Sequence, residues 1–279
     1  MRLVRTIRET RRLISAQRLR GRTIGLVPTM GYLHEGHLSL VRLARRHAKF
    51  VVVSIFVNPT QFGPAEDLVR YPRDLARDLR LLEAAGCDLV FFPSVRTMYP
   101  DGYRTYADVT GFGAVLCGAS RPGHFRGVAT VVLKLFNIVK PDIAVFGRKD
   151  FQQTMVIRRM AADLDLDPKI VIAPTVREKS GLAMSSRNKY LNDRERRQAA
   201  VLYRSLRRAR QAVRTGRLRD PKTLVAEMER MIRESGGRID YVAVVSPVDL
   251  QPVKRLRRGQ IALVAVFFGK TRLIDNITL

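Results

Sequence analysis

Residues 23–46, TIGLVPTMGYLHEGHLSLVRLARR, decide how the rest of the chain is read. The first six run apolar as a buried strand does. Pro28, Gly31 and Gly36 then punctuate a turn, and Leu38, Leu40, Val41 and Leu43 resume at helical spacing. The stretch is therefore a strand, a loop and a helix start, one βα unit. In its loop His34 and His37 stand three residues apart with Gly36 between them. At a helix entrance that spacing puts both imidazoles on one side, where the helix's unpaired N–H groups and dipole also point. Such a corner attracts anions, above all phosphate, and Gly36, without a side chain, lets a flat base or ribose approach the backbone. Two surface histidines capping a helix fit the bare motif equally well. Zinc fits less well, because no Cys or third His stands nearby in the sequence.

Toward the N-terminus, residues 1–21 are Arg-rich in the manner of a transit peptide. Against that, Leu3 and Val4 read as a short strand, and Thr6 with Glu9 makes a capping-box pattern opening a helix with Ile7 and Ile14 inward. The segment is expected to belong to the fold.

Toward the C-terminus, residues 50–57 (FVVVSIFV) are nearly continuously apolar, as a parallel strand covered on both faces requires. They end in Asn58, Pro59, Thr60, Gln61, Phe62 and Gly63, which places amides where open α/β sheets bind ligands, although Asn-Pro alone would also make a turn. Residues 72–85 predict a helix striped by Leu75, Leu79 and Leu82, and residues 88–92 a strand. Residues 98–122 are irregular excursions, and residues 122–139 carry a helix face. A strand at 143–146 then stops at Gly147, Arg148, Lys149 and Asp150, before a helix over 151–164. At a helix start Lys149 would reach phosphate oxygens while Asp150 accepts from hydroxyls such as those of a ribose, or simply compensates the dipole. Gln153 shares the face of Asp150.

After a last strand at 170–172, Pro174 marks a boundary. About five strand–helix repeats predict an α/β fold, a Rossmann-like doubly wound parallel sheet over residues 1–174. Residues 175–279 predict a second, smaller α+β domain. It opens with a polar loop over 175–191 holding Met184, Ser185, Ser186 and Arg187, which could offer two hydroxyls and a guanidinium to a leaving pyrophosphate or be an ordinary loop. One helix from Asn192, with Glu195 three on, would bury Ala199, Leu202, Leu206, Ala209 and Val213; a second covers about 221–234. Strands at 241–245, 261–268 and 273–274 complete the domain.

Composition sets the outer limits. With 279 residues, 46% of them hydrophobic, the chain can bury one large core or two moderate ones. Cys87 and Cys117 are too few for a disulfide framework, so a reducing compartment is expected. No apolar run reaches the length of a membrane span, and no secretory signal is evident. The net charge of +26 implies salt-dependent attraction to polyanions. Residues 177–220 alone carry fourteen Lys or Arg against four Asp or Glu, a solvated basic surface beside a triphosphate site or a nucleic-acid face without interleaved aromatics.

Taken in order, VPTMGYLHEGH, FVNPTQFG, YPRDLARDL, RPGHFRGVATVVLKLFNIVKP, GRKDFQQ, PTVREKSGLAMSSRNKYL and RLIDN resemble the pantothenate synthetase (pantoate–β-alanine ligase) family, part of the nucleotidylyltransferase superfamily with a His-x-Gly-His signature. That resemblance implies ATP-dependent condensation of pantoate with β-alanine through a pantoyl adenylate, with Mg2+ accompanying ATP, in a cytosolic homodimer. It implies that His34 and His37 bind phosphates, with His37 a proton donor, that Lys149 holds the transferring phosphate, and that Ser185, Ser186 and Arg187 take the pyrophosphate. Met30, Gly31, Tyr32, Leu33, Glu35, Gly36, Gly147, Arg148, Asp150, Val176 and Met184 complete the ATP set. Gln61 and Gln153 would grip pantoate, with Pro28, Met30 and Phe62 on its gem-dimethyl group and Asn58 near the reacting groups. The family's corner commonly has Glu where this chain has Arg148, whose side chain is expected to point outward.

Overall fold

The computed structural model describes residues 1–64 and 66–279. These divide into two compact units, the first formed by Met1–Ala114, Arg121–Arg148 and Gln153–Pro174, the second by Val115–Ser120, Lys149–Gln152 and Thr175–Leu279. The main change of unit falls after Pro174. Two short segments expected within the first domain, one of them carrying Lys149 and Asp150, belong to the second unit.

Among the described residues the first unit holds a six-stranded parallel sheet of β1 (Arg2–Val4), β2 (Ile24–Thr29), β3 (Phe50–Ile55), β4 (Leu89–Phe91), β5 (Ile143–Gly147) and β6 (Lys169–Ala173), in the order β1-β4-β3-β2-β5-β6. β3 is buried along its whole length, which is why its sequence is an unbroken apolar run. The chain leaves β2 outward through β3 and β4, then returns to the other side of β2 as β5 and β6. The order therefore reverses between β2 and β5, and the loops leaving those strands flank the crevice where doubly wound sheets bind ligands.

The helices α1 (Ile7–Arg18), α2 (Glu35–His47) and α3 (Leu75–Ala84) follow β1, β2 and β3. Thr6 caps α1 by accepting the N–H of Glu9 at 3.2 Å, so the Arg-rich N-terminus is part of the fold. α3 starts at Leu75, not at residue 72, because Asp74 supplies the cap. Its fully buried positions are Asp78 and Leu82, while Leu75 and Leu79 are only partly covered. The leucine stripe packs against the core as expected, with Asp78 buried beside it.

The second unit is an antiparallel sheet of β7 (Arg238–Val245), β8 (Ile261–Phe268) and β9 (Thr271–Thr278) packed against the helices Val201–Arg214 and Pro221–Glu234. Leu202, Leu206, Met228, Ile232, Val264 and Phe268 form its core. The helix expected to run unbroken from Asn192 is two, Asp193–Ala199 and Val201–Arg214, parted at Ala200. β9 is eight residues long instead of the two expected. Asp275 and Asn276 interrupt its apolar pattern because, though buried, they serve polar contacts.

Candidate active site

In the first unit the candidate residues begin at the end of β2. Gly31 and then Tyr32 adopt positive φ, +85° and +49°, a pair of left-handed residues that turns successive backbone N–H groups to one side. The buried Asp78 carboxylate receives them, accepting from Tyr32 N and Leu33 N at 2.7 Å each. Burial pushes the Asp78 carboxyl above its ordinary range, against the pull of those two N–H donors and of Arg77. Arg77 adds a bond to the Leu33 carbonyl at 2.8 Å and lies over the Tyr32 ring. A Cβ on Gly31 would stand 3.1 Å from the Asp78 carboxylate and 3.0 Å from Ile55, so glycine is needed for space as well as for φ.

The loop ends in an N-cap built from the two histidines. His34 Nδ1 accepts the Gly36 N–H at 3.1 Å, and His37 Nδ1 accepts the His34 N–H at 3.3 Å, with ring centroids 4.1 Å apart. Each neutral ring therefore carries its proton on Nε2 and presents an N–H donor at the entrance of α2. The plainer reading of the motif holds, since the pair caps the helix through Nδ1. Glu35, also in this turn, pairs with Arg42.

At the end of β3 the turn Pro59–Gln61 is a short 3₁₀ segment with Asn58 before it. Asn58 is 1% exposed and its amide orientation is determined: Oδ1 accepts from Thr60 Oγ1 at 2.9 Å and Tyr99 Oη at 2.8 Å, while Nδ2 donates to Gly127 O and Gln61 Oε1. Burial drives Tyr99 up to about 12, so its hydroxyl keeps the proton that Asn58 accepts. Gln61 Nε2 then faces Met30 Sδ at 3.2 Å, which joins the β3 turn to the β2 loop. Pro28 lies in β2 opposite Ser54, and Phe62 packs edge-on against Tyr71. Gln153 is half-buried near the start of the helix Phe151–Asp163. Its neighbour Gln152 is the one with a framework task, bonding Cys117 N and Val115 O.

Arg148–Asp150 form a 3₁₀ turn directly after Gly147, and Lys149 and Asp150 belong to the second unit. Arg148 is half-buried. Lys149 is 19% exposed and its Nζ lies 3.6 Å from the more open Asp150 carboxylate. β9 holds this corner: Asn276 Nδ2 donates to Lys149 O at 2.8 Å, and Asp275 takes Arg177 in a two-pronged pair at 2.6 and 3.0 Å. Burial raises the Asp275 carboxyl, while Arg177 and Lys149 pull it down.

The segment with Val176 and Met184 folds back on itself, Met184 N bonding Val176 O at 3.0 Å, so that Ser185 caps the 3₁₀ helix Ser186–Tyr190 by accepting Arg187 N. Glu178 secures that turn from behind through Asn188 and Arg196. Both cysteines are buried free thiols.

Asp78, Tyr99, Arg121, His124, Arg177, Asp275 and Asn276 escaped the reading of the sequence as site residues. Most lie inside the quoted motifs, yet a buried carboxylate on a leucine-rich helix or strand has no periodic signature of its own.

Comparison with known proteins places this geometry. A family model described as "Pantoate-beta-alanine ligase" matches residues 2–278. "Pantothenate synthetase" of Acetivibrio thermocellus is 54% identical over 277 residues, 99% of each chain, and that of Pelotomaculum thermopropionicum 56% over 275 residues, 98% of this chain and 97% of its own. The crystal structure of pantothenate synthetase from Thermus thermophilus superposes with a TM-score of 0.91 at 49% identity, covering 99% of both chains. Pantoate-beta-alanine ligase from Francisella tularensis, complexed with beta-gamma ATP and beta-alanine, gives 0.84 at 36%, covering 100% of this chain and 97% of that one.

Proposed function

Since the chain belongs to the pantoate–β-alanine ligase family, whose members are ATP-dependent carbon–nitrogen ligases, we propose that it joins pantoate to β-alanine through these particular residues. The observation that carries the reading is the histidine cap. Two imidazoles spend Nδ1 on the backbone and direct Nε2–H donors to the N-terminal end of α2, at the order reversal of the sheet.

In the first half-reaction the pantoate carboxylate oxygen attacks the α-phosphorus of ATP. The bond from that phosphorus to the bridging oxygen breaks, and pyrophosphate leaves with the electron pair. In the second the β-alanine amine attacks the acyl carbon, AMP departs, and the amine loses a proton to form the amide. Little covalent help is needed from protein; donors must stand where charge develops. His34 and His37 supply Nε2–H to phosphate oxygens, and His37 is the proton donor. Lys149 supplies a compact positive charge to the transferring phosphate. Ser185, Ser186 and Arg187 receive the pyrophosphate, with Gly147, Asp150 and the Val176 backbone on the nucleoside. Gln61, Gln153 and Asn58 hold pantoate, with Pro28, Met30 and Phe62 on its methyl groups.

Magnesium enters with the nucleotide. Among the described residues no three His, Cys, Asp or Glu side chains gather to hold a metal, and magnesium commonly rides on substrate phosphates with water completing its shell. Bound there, it neutralises phosphate charge. A cytosolic homodimer is the proposed working form; no helix among the described residues is long and apolar enough to cross a membrane. The net charge of +26 supports weak, salt-sensitive polyanion binding as a side property.

The test follows AMP in mixtures of protein, ATP, magnesium, pantoate and β-alanine, omitting each acid in turn. AMP should need both; release no faster with both acids than without them refutes the reading. Within the site, Lys149→Ala and His37→Ala should each lower kcat at least about 100-fold, the scale of a lost preorganised donor, with circular dichroism unchanged. A near-normal rate in either removes that residue from the chemistry.

A further inference from the structure

The Gln61 turn is held from the side opposite its amide by a cluster that the chemistry above leaves unused. Arg121, with Glu66 behind it, and His124 converge on the Gln61 backbone carbonyl. His124 Nδ1 lies 2.8 Å from it and Arg121 Nη2 3.3 Å. A carbonyl only accepts, so His124 carries its proton on Nδ1. His124 Nε2 lies 3.0 Å from Arg121 Nη1, and a guanidinium only donates, so Nε2 is the acceptor. Both ring nitrogens are thereby assigned: His124 is a neutral imidazole in the tautomer opposite to that of His34 and His37. Glu66 aligns the guanidinium from its far edge with bonds of 2.8 and 2.5 Å, and the ion pair is largely buried.

A second observation shows how tightly the turn is seated. His124 opens the helix His124–Val139, and one turn on, Gly127 meets the Gln61 turn backbone to backbone. A Cβ at Gly127 would come within 2.3 Å of Thr60 O and 2.7 Å of Gln61 N. The Gly127 carbonyl in turn accepts from Asn58 Nδ2, which also holds Gln61 Oε1. Gln61 is thus gripped at its backbone N–H side, its carbonyl and its side-chain oxygen, and its Nε2 direction follows.

We propose that His124, through its Nδ1–H and with Arg121 and Glu66 behind it, is a positioning residue for the pantoate-binding amide of Gln61. Arg121 is committed to Glu66, His124 and the carbonyl, so it acts on the turn and not as a charge offered to a substrate. The proposal rests on the reading of Gln61 as a pantoate contact, and the test separates the two.

Pantoate KM is measured at saturating ATP and β-alanine for His124→Ala, His124→Asn, His124→Gln, Gln61→Ala and the double variant His124→Ala/Gln61→Ala, each melted to verify folding. His124→Ala should raise pantoate KM about tenfold, the scale of one well-made hydrogen bond, with ATP KM within about twofold. Asn carries an amide N–H where Nδ1–H was and should restore most of the loss, whereas Gln, whose amide sits at the Nε2 position, should not. In the Gln61→Ala background, His124→Ala should add nothing to pantoate KM, because its effect passes through Gln61. Pantoate KM unchanged in His124→Ala while Gln61→Ala raises it, equal recovery by Asn and Gln, or additive effects in the double variant would each overturn the positioning role. An unchanged KM in Gln61→Ala would instead overturn the role given to Gln61. If His124→Ala melts too low to assay, Glu66→Gln takes its place, with a smaller rise of about threefold in pantoate KM expected from a tilted guanidinium and no change as the overturning result.

Discussion

The β2 loop of the first unit and the Lys149 corner of the second meet an excess of donors with the same device, a buried aspartate, but on different kinds of donor. Each is a turn whose backbone is gripped by a buried polar side chain far away in sequence, Asp78 in the loop and Asn276, next to Asp275, at the corner. In the β2 loop the excess is of backbone N–H groups, turned together by the left-handed pair Gly31 and Tyr32, and Asp78 takes two of them at 2.7 Å. At the Lys149 corner the excess is of cations, and Asp275 neutralises Arg177 while Asn276 next to it bonds the Lys149 carbonyl. Turns that collect donors suffer repulsion among them, and Asp78 and Asp275 are the internal anions that offset it.

That contrast can be broken by deleting each carboxylate. Asp275→Ala strands a buried guanidinium, and should cost about 3–5 kcal/mol of stability, read by denaturant unfolding, with turnover falling as the folded fraction does. Asp78→Asn should cost less, about 1–3 kcal/mol, because an amide still accepts one N–H but turns its own NH2 on the other. Its signature should be functional: ATP KM should rise more than pantoate KM, since the histidine cap follows Leu33 directly. If Asp78→Asn is the more destabilising and Asp275→Ala the more selective against ATP, the comparison is wrong.

A local cap sets the floor. Asn192→Ala breaks the capping box with Glu195, and should cost about 1 kcal/mol with both KM values unmoved. Should it shift ATP KM as Asp78→Asn does, the loop's dependence on Asp78 would lose its meaning.

Much of this was legible in the residues. β3 is a run of six buried residues and reads as a strand without help; Thr6–Glu9 and Asn192–Glu195 announce their helices by spacing alone. The His-x-Gly-His loop, the amides after β3 and the Lys-Asp corner were each visible as chemistry at strand ends. Asp78 was not, because on a helix with leucines at three and four residue spacing an inward carboxylate reads as a surface charge. β9 was cut short for the same reason, its Asp275 and Asn276 looking like the end of a strand. Nor does spacing distinguish the tautomer of His124 from that of His34, which depends on whether a backbone carbonyl or a backbone N–H faces Nδ1.

By itself the sequence determined the parallel sheet, the change of pattern after Pro174 and the placing of the candidate turns at strand ends, since these follow from local periodicity, capping and side-chain chemistry. Only the tertiary structure decided which buried anions brace those turns, which ring nitrogen of His34, His37 and His124 carries the proton, and that Lys149 belongs with the second unit. Those are matters of what faces a given atom across tens of residues, and a one-dimensional pattern holds no record of it until the chain is packed.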